Sequence, residues 1–383
     1  MTEQHKSALK ELFPPWAARL QPYPAGKPIE EVERELGHSA RKLASNENPL
    51  GPSPRALDAV RRSLHNVHLY PDSNGYELRT KLAETLQFHM DRVILGAGST
   101  ELIYLIARTL LSAEDEGVTS ESAFHVYRLA IESAGAACKV VPTRDMTVDL
   151  VAIRHAMTPR TKVIFLANPN NPTGTMFAVT EFEQFLRAIP PQILVVLDQA
   201  YCDYVQRSDY SPSFNEMQKW ENLLILRTFS KVYGLAGLRT GYGIGHPELI
   251  ALLNRFRPPF NVSRLSQTAA IAALEDRDHV ARSVESNSRE MRFVSEELTL
   301  LGVRFTPSVA NFVLVDTSRD CEHDFLKLLE EGVIVRPMKF YGFPTSLRVT
   351  IGTREDNEIF LESLRRVMVH ATPSYPFRPT VAS

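Results

Sequence analysis

The sequence predicts an α/β protein, with a large domain on a mainly parallel seven-stranded sheet and a smaller α+β domain after it. Candidate strands lie at 92–95, 117–120, 137–141, 162–167, 192–197, 222–227 and 241–244. Helical periodicity near 100–112, 125–134, 180–188 and 264–275 alternates with them. Such alternation builds a parallel sheet with helices on its faces. After about residue 280 the pattern changes. A long helix over 282–301, a strand at 311–315, a helix over 322–331, strands at 333–335 and 347–351 and a last helix over 355–370 make the smaller domain.

Each strand that ends in unusual chemistry can be justified in turn. The run 162–165 leads into Leu166-Ala-Asn-Pro-Asn-Asn-Pro-Thr-Gly-Thr175. Two Asn-Pro steps and a glycine force a non-helical loop at the strand end. In open α/β sheets such ends carry ligands. Asn171 can donate an amide hydrogen to a phenolate oxygen, although an Asn/Pro turn needs no ligand. The run Ile193–Leu197 ends in Asp198, with Tyr201 three positions on. A carboxylate at the end of a buried strand needs a cation or strong hydrogen bonds. Capping the next helix is its simpler role.

The run at 222–226 leads into Thr228-Phe-Ser-Lys-Val-Tyr-Gly-Leu-Ala-Gly-Leu-Arg239. Lys231 beside a second cation is placed to lose its proton and attack a carbonyl. Thr228, Ser230 and Arg239 suit a phosphate. Together these residues point to a phosphate-bearing aldehyde, pyridoxal 5'-phosphate. Asp198 would then face its protonated pyridine nitrogen, and Asn171 and Tyr201 its ring hydroxyl.

Composition narrows the classes. The 383 residues allow two or three domains, and 44% hydrophobic with 23% charged residues is ordinary for a globular protein. A net charge of −2 gives no basic field for nucleic acid. Cys138, Cys202 and Cys321 lack metal-ligand spacing and suit a reducing cytoplasm. No run is long and apolar enough for a membrane span. Expected units are an arm over 1–29, the N-terminal part of the small domain over 30–60, the large domain over 61–278, the C-terminal small domain over 279–371 and a flexible tail over 372–383.

The order Asn-Pro-Asn-Asn-Pro-Thr-Gly, Asp-x-x-Tyr and Ser-Lys with Arg239 downstream resembles the fold-type I pyridoxal-phosphate enzymes of the class I/II aminotransferases. Among them it is most similar to the histidinol-phosphate aminotransferases, from about Tyr23 to about His370. The resemblance implies that backbone amides at Ser99 and Thr100 hold the cofactor phosphate and that Phe124 stacks on the ring. It implies a homodimer in which Tyr70 reaches the partner's cofactor phosphate. It further implies substrate contacts from Tyr23, from Asn48 within Ala44-Ser-Asn-Glu-Asn-Pro-Leu-Gly51, from Arg336 and from Arg348. No metal is implied. One departure is Gln199, where the family usually has Glu.

The implied reaction moves the amino group of histidinol phosphate to 2-oxoglutarate. An aromatic (phenylalanine or tyrosine) aminotransferase is the named alternative, followed by a threonine-phosphate decarboxylase. A regulator with an aminotransferase-like domain would need a helix-turn-helix unit, and the Pro-rich stretch before the family segment cannot supply one.

Overall fold

The protein is described by a computed structural model covering residues 12–14, 16–20, 22, 27–37, 39–210 and 218–369. A short strand β1 (Arg41–Lys42) precedes the sheet strands β2 (Val93–Gly96), β3 (Glu116–Ser120), β4 (Ala137–Val141), β5 (Thr161–Ala167), β6 (Leu194–Asp198), β7 (Leu223–Thr228) and β8 (Gly241–Ile244). The large sheet runs β2-β8-β7-β6-β5-β3-β4. Only β8 is antiparallel to its neighbours, so the sheet is mainly parallel, as expected.

Its central strands are buried on both faces. Val163, Phe165, Val196, Leu224 and Leu226 pack under the helices Ser99–Leu110, Val126–Ser133 and Pro247–Phe256. Ile164, Leu166, Val195, Leu197 and Ile225 pack under Leu150–Ala156 and Val179–Ala188. Two-sided burial explains why these strands read as continuous apolar runs.

The smaller domain holds β9 (Arg304–Thr306), β10 (Phe312–Asp316), β11 (Val333–Ile334), β12 (Arg336–Pro337) and β13 (Ser346–Thr350). Four of these strands form the antiparallel sheet β12-β13-β10-β9, and β11 pairs with β1 in parallel. The Arg277–Leu300 and Arg354–Val369 helices cover it through Val294, Leu298, Phe360 and Leu364. Val32, Ala40 and Ala44 pack on Leu329 and Ile334, which ties the N-terminal segment to this domain.

Helix Pro54–Ser63 departs from the expected boundary at 60. It packs on Arg264–Glu275, and Ala56 sits in one cluster with Leu78, Leu95 and Ala269 of the large domain. Ser53 makes the junction: its hydroxyl caps the helix at Ala56 N and donates to Asp276 at 2.7 Å. This helix escaped sequence reading because it buries only Ala56 and Ala59. Helices Ile29–Leu36, Tyr76–Leu86, Leu150–Ala156 and Pro247–Phe256 were not anticipated either. The residues of the tail, 372–383, lie outside the described residues.

Gly241 is where strand and helix meet. It pairs with both Gly96 and Thr228, and a Cβ there would lie 2.6 Å from Ser99 N and 2.7 Å from Gly98 C. Both neighbours are backbone and cannot swing aside. Gly241→Ala is expected to cost about 1–3 kcal/mol by overpacking, read as a lowered Tm, whereas Gly237→Ala, with open space around it, should be close to neutral at that atom.

Candidate active site

A cavity of about 300 Å³ opens where β2, β5, β6 and β7 end, and the smaller domain closes its other side. One end is rich in donors. Helix Ser99–Leu110 begins after Gly98 with no side-chain cap, so its first N–H groups remain available. Thr228 Oγ1 donates to Ser230 Oγ at 2.9 Å and accepts from Ser230 N at 3.1 Å. Arg239 reaches Ser230 Oγ at 3.4 Å from a left-handed backbone position, φ 52°. A Cβ on Gly98 would lie 2.6 Å from its guanidinium. Bare glycine thus lets the arginine lie over the helix start. Amides, hydroxyls and a cation around one space form an oxyanion site.

The floor is acidic. Asp198 is buried and accepts from Tyr127 OH at 2.8 Å and from Ala200 N at 3.0 Å. Burial drives its pKa up to about 6; those two donors and Lys231 act against the rise. A cation brought into the cavity would compensate the carboxylate. Phe124 forms part of the wall, its ring edge-on to Tyr127 at 5.8 Å.

Lys231 stands between floor and mouth. Its Nζ donates to Ser45 O at 2.9 Å and lies 5.4 Å from the centre of the Tyr201 ring. Tyr201 OH accepts from Asn46 Nδ2 at 2.9 Å and from Asn171 Nδ2 at 3.3 Å. Burial raises this phenol's pKa, and Arg348 and Asn46 oppose the rise.

Arg348 donates to Asn171 Oδ1 and to Ala44 O, each at 2.6 Å. Directly opposite it across the β12/β13 pair is Arg336, also buried and also lining the cavity. Like charges facing each other across a ladder are destabilising. Both side chains line the same cavity, which gives that end two cations.

The structure thus brings Ser99, Thr100, Phe124, Asn171, Asp198, Tyr201, Thr228, Ser230, Lys231, Arg239, Arg336 and Arg348 to one cavity. Asn48 is a correction. Its side chain turns away and donates to Val232 O at 2.7 Å and Ser283 Oγ at 2.9 Å. Asn46, two residues earlier, lines the cavity instead. Its φ of 56° breaks the extended chain, so the two asparagines do not share a side. Tyr70 is exposed, stacked on Phe260 at 4.6 Å, and does not line the cavity of its own chain. Tyr23 lies outside the described residues. Sequence reading missed Asn46, Tyr127 and Ser45, whose contribution is a carbonyl oxygen. The only signal for Tyr127 was its place three residues after Phe124.

A profile of the family "Aminotransferase class I and II" matches residues 40–364. Histidinol-phosphate aminotransferase 1 of Nitrosococcus oceani is 48% identical over 91% of this chain and 95% of its own length. Histidinol-phosphate aminotransferase of Moorella thermoacetica is 47% identical, covering 91% of each chain. The crystal structure of histidinol-phosphate aminotransferase from Sinorhizobium meliloti, in complex with pyridoxal-5'-phosphate, superposes with a TM-score of 0.87 at 27% identity over 93% of this chain and 97% of that one. The chain belongs to the class I and II aminotransferases, on the fold-type I scaffold. It is a pyridoxal-phosphate-dependent aminotransferase.

The raised pKa of Asp198 sets a stability prediction for the cofactor-free protein. The burial penalty is absent below the ordinary value of 3.8 and complete above about 6. Replacing the carboxylate by its neutral isostere removes up to about 3 kcal/mol of that penalty. Denaturant titration of apo Asp198→Asn is expected to show greater stability than the parent at pH 8. The gap should shrink as the pH falls through 6 toward 4, while cofactor affinity of the variant drops.

Proposed function

We propose that this enzyme transfers the amino group of L-histidinol phosphate to 2-oxoglutarate, giving imidazole-acetol phosphate and L-glutamate, a step of histidine biosynthesis. The observation that carries this reading is the facing pair Arg336 and Arg348, buried at the substrate end of the cavity. A phosphate ester matches two adjacent guanidiniums. In the second half-reaction the same pair receives the carboxylates of the oxo acid. Relatives named for this activity, 46–48% identical over more than nine-tenths of the chain, support it.

The residues present fit pyridoxal 5'-phosphate, because a buried carboxylate, a half-buried phenylalanine and an uncapped helix start are arranged around one space. When bound, the cofactor supplies an aldehyde that condenses with amines and a ring that accepts the electron pair left at the substrate Cα. Ser99 and Thr100 amides, Thr228, Ser230 and Arg239 bind its phosphate in our reading. Asp198 supplies the negative charge opposite the ring nitrogen. Asn171 Nδ2 and Tyr201 OH orient the ring hydroxyl, and Phe124 covers one ring face.

With the cofactor bound, Lys231 Nζ would be the amine that meets its aldehyde and, once freed by the substrate amine, the base that takes the Cα proton. Its 2.9 Å bond to Ser45 O holds the amine toward that position. We further infer a cytoplasmic homodimer. Exposed Leu64, Val67, Leu69, Tyr70 and Phe260 support an apolar mating face that would carry Tyr70 toward the partner's phosphate site. Three free cysteines suit a reducing compartment.

Lys231→Ala is expected to abolish borohydride fixation of the cofactor and to lower kcat by about 10³-fold or more. Purified protein that takes up no pyridoxal phosphate would end this reading. Arg336→Ala should reduce kcat/KM for histidinol phosphate by the equivalent of about 2–5 kcal/mol, with cofactor binding retained and activity on unphosphorylated histidinol much less affected. A donor panel of histidinol phosphate, phenylalanine, tyrosine and histidine against 2-oxoglutarate checks the assignment directly. Equal losses on both amines would show that Arg336 does not read the phosphate.

A further inference from the structure

We propose that Tyr127 is a positioning residue: by donating its hydroxyl hydrogen to Asp198 Oδ2 it keeps that carboxylate ionised and aimed at the pyridine nitrogen. The inference rests on the reading that this nitrogen faces Asp198.

Three observations carry it. Tyr127 is 1% exposed, and its hydroxyl lies 2.8 Å from Asp198 Oδ2. Ala200 N takes the other oxygen, Oδ1, at 3.0 Å, so each carboxylate oxygen has one fixed donor and keeps lone-pair capacity for a ligand. The tyrosine itself cannot wander. Its ring stacks parallel on Phe165, with centroids 5.5 Å apart and 5° between planes. Phe124 meets it edge-on. Its backbone N–H closes a turn onto Phe124 O at 3.0 Å, just where helix Val126–Ser133 begins. One residue thus links the aromatic wall of the cavity to its acidic floor.

The charges around the carboxylate leave this donor a decisive share. Burial alone favours protonated Asp198, and Tyr127, Ala200 N and Lys231 oppose it. The other titratable neighbours, Tyr201, Cys202 and Tyr210, have their pKa values raised by burial and stay neutral. Tyr127 is likewise held protonated by burial, by Asp198 and, more weakly, by Tyr201 and Tyr341, so it remains a donor throughout the working range. Removing its hydroxyl leaves Asp198 with a single fixed hydrogen-bond donor against the same desolvation. The carboxylate then takes up a proton nearer neutrality and no longer matches a protonated ring nitrogen.

The test uses cofactor affinity, not turnover. Apo Tyr127→Phe and the parent are titrated with pyridoxal 5'-phosphate and with its 1-deaza analogue, in which carbon replaces the ring nitrogen. A lost hydrogen bond to a charged group predicts about tenfold or more weaker binding of the natural cofactor at pH 7. Affinity for the deaza analogue should stay within about twofold, and the pH midpoint for natural cofactor binding should move upward. In an Asp198→Asn background the Tyr127→Phe effect should vanish. Equal weakening of both cofactors would mean that Tyr127 only packs the wall, and no weakening of either would mean that the hydroxyl is idle; both overturn the proposal. Should Tyr127→Phe fail to fold, Tyr127→3-fluorotyrosine keeps the ring and strengthens the donor. It should then lower the same pH midpoint, and an unchanged midpoint overturns the proposal. Wild-type uptake of pyridoxal phosphate and the Lys231→Ala result stand apart from these readings, so either idea can fail alone.

Discussion

A carboxylate buried at the end of a central strand is the constraint on which this site depends. Asp198 cannot reach solvent, and the cost of its charge must be met by hydrogen bonds or by a cation. The protein supplies only part of the answer. Tyr127 and Ala200 each give one hydrogen bond, Lys231 adds a distant favourable charge, and the pKa still stands near 6. A protonated nitrogen heterocycle would complete the balance, and without a cation the floor carries the cost of its buried charge. This is why the cavity and the central sheet are one design: the strand that buries Asp198 is also the middle of the large core.

The second concentration of charge lies across the cavity, and a single amide links it to Tyr201. Asn171 accepts from Arg348 through Oδ1 and donates to Tyr201 OH through Nδ2. Its loop is held independently of any ligand: Asn168 exchanges hydrogen bonds with Phe177, and Asn170 Nδ2 donates to Ser122 O. Arg348 is anchored in turn by Ala44 O, from a segment 304 positions away. A change in what the arginines hold therefore acts on the group that orients Tyr201 without any long-range motion. The smaller domain contributes two buried arginines to the cavity, and the larger domain contributes Lys231 and the acidic floor.

Much of this was legible because the chemistry sits at the ends of apolar runs. The central strands β5, β6 and β7 could be read because two-sided burial demands runs of Val, Ile, Leu and Phe. Lys231, Asp198, Asn171 and Arg239 stood out because a charged or amide group directly after such a run has few structural reasons to be there. Helices with narrow apolar faces, such as Pro54–Ser63, gave no comparable signal. The direction of β8 was invisible as well, since a four-residue strand reads the same in either sense.

By itself, then, the sequence determined the alternation of strands and helices in the large domain and marked Lys231, Asp198, Asn171 and Arg239 as candidate site residues, since these follow from local periodicity and residue chemistry. Tertiary structure alone decided which of two neighbouring asparagines faces the cavity, because Asn46, at φ 56°, is bonded to Thr350, 304 positions away in the chain. It alone revealed that Tyr127 meets Asp198 from 71 positions away. It alone set Arg336 opposite Arg348, because cross-strand register is fixed by packing between segments and not by either segment on its own.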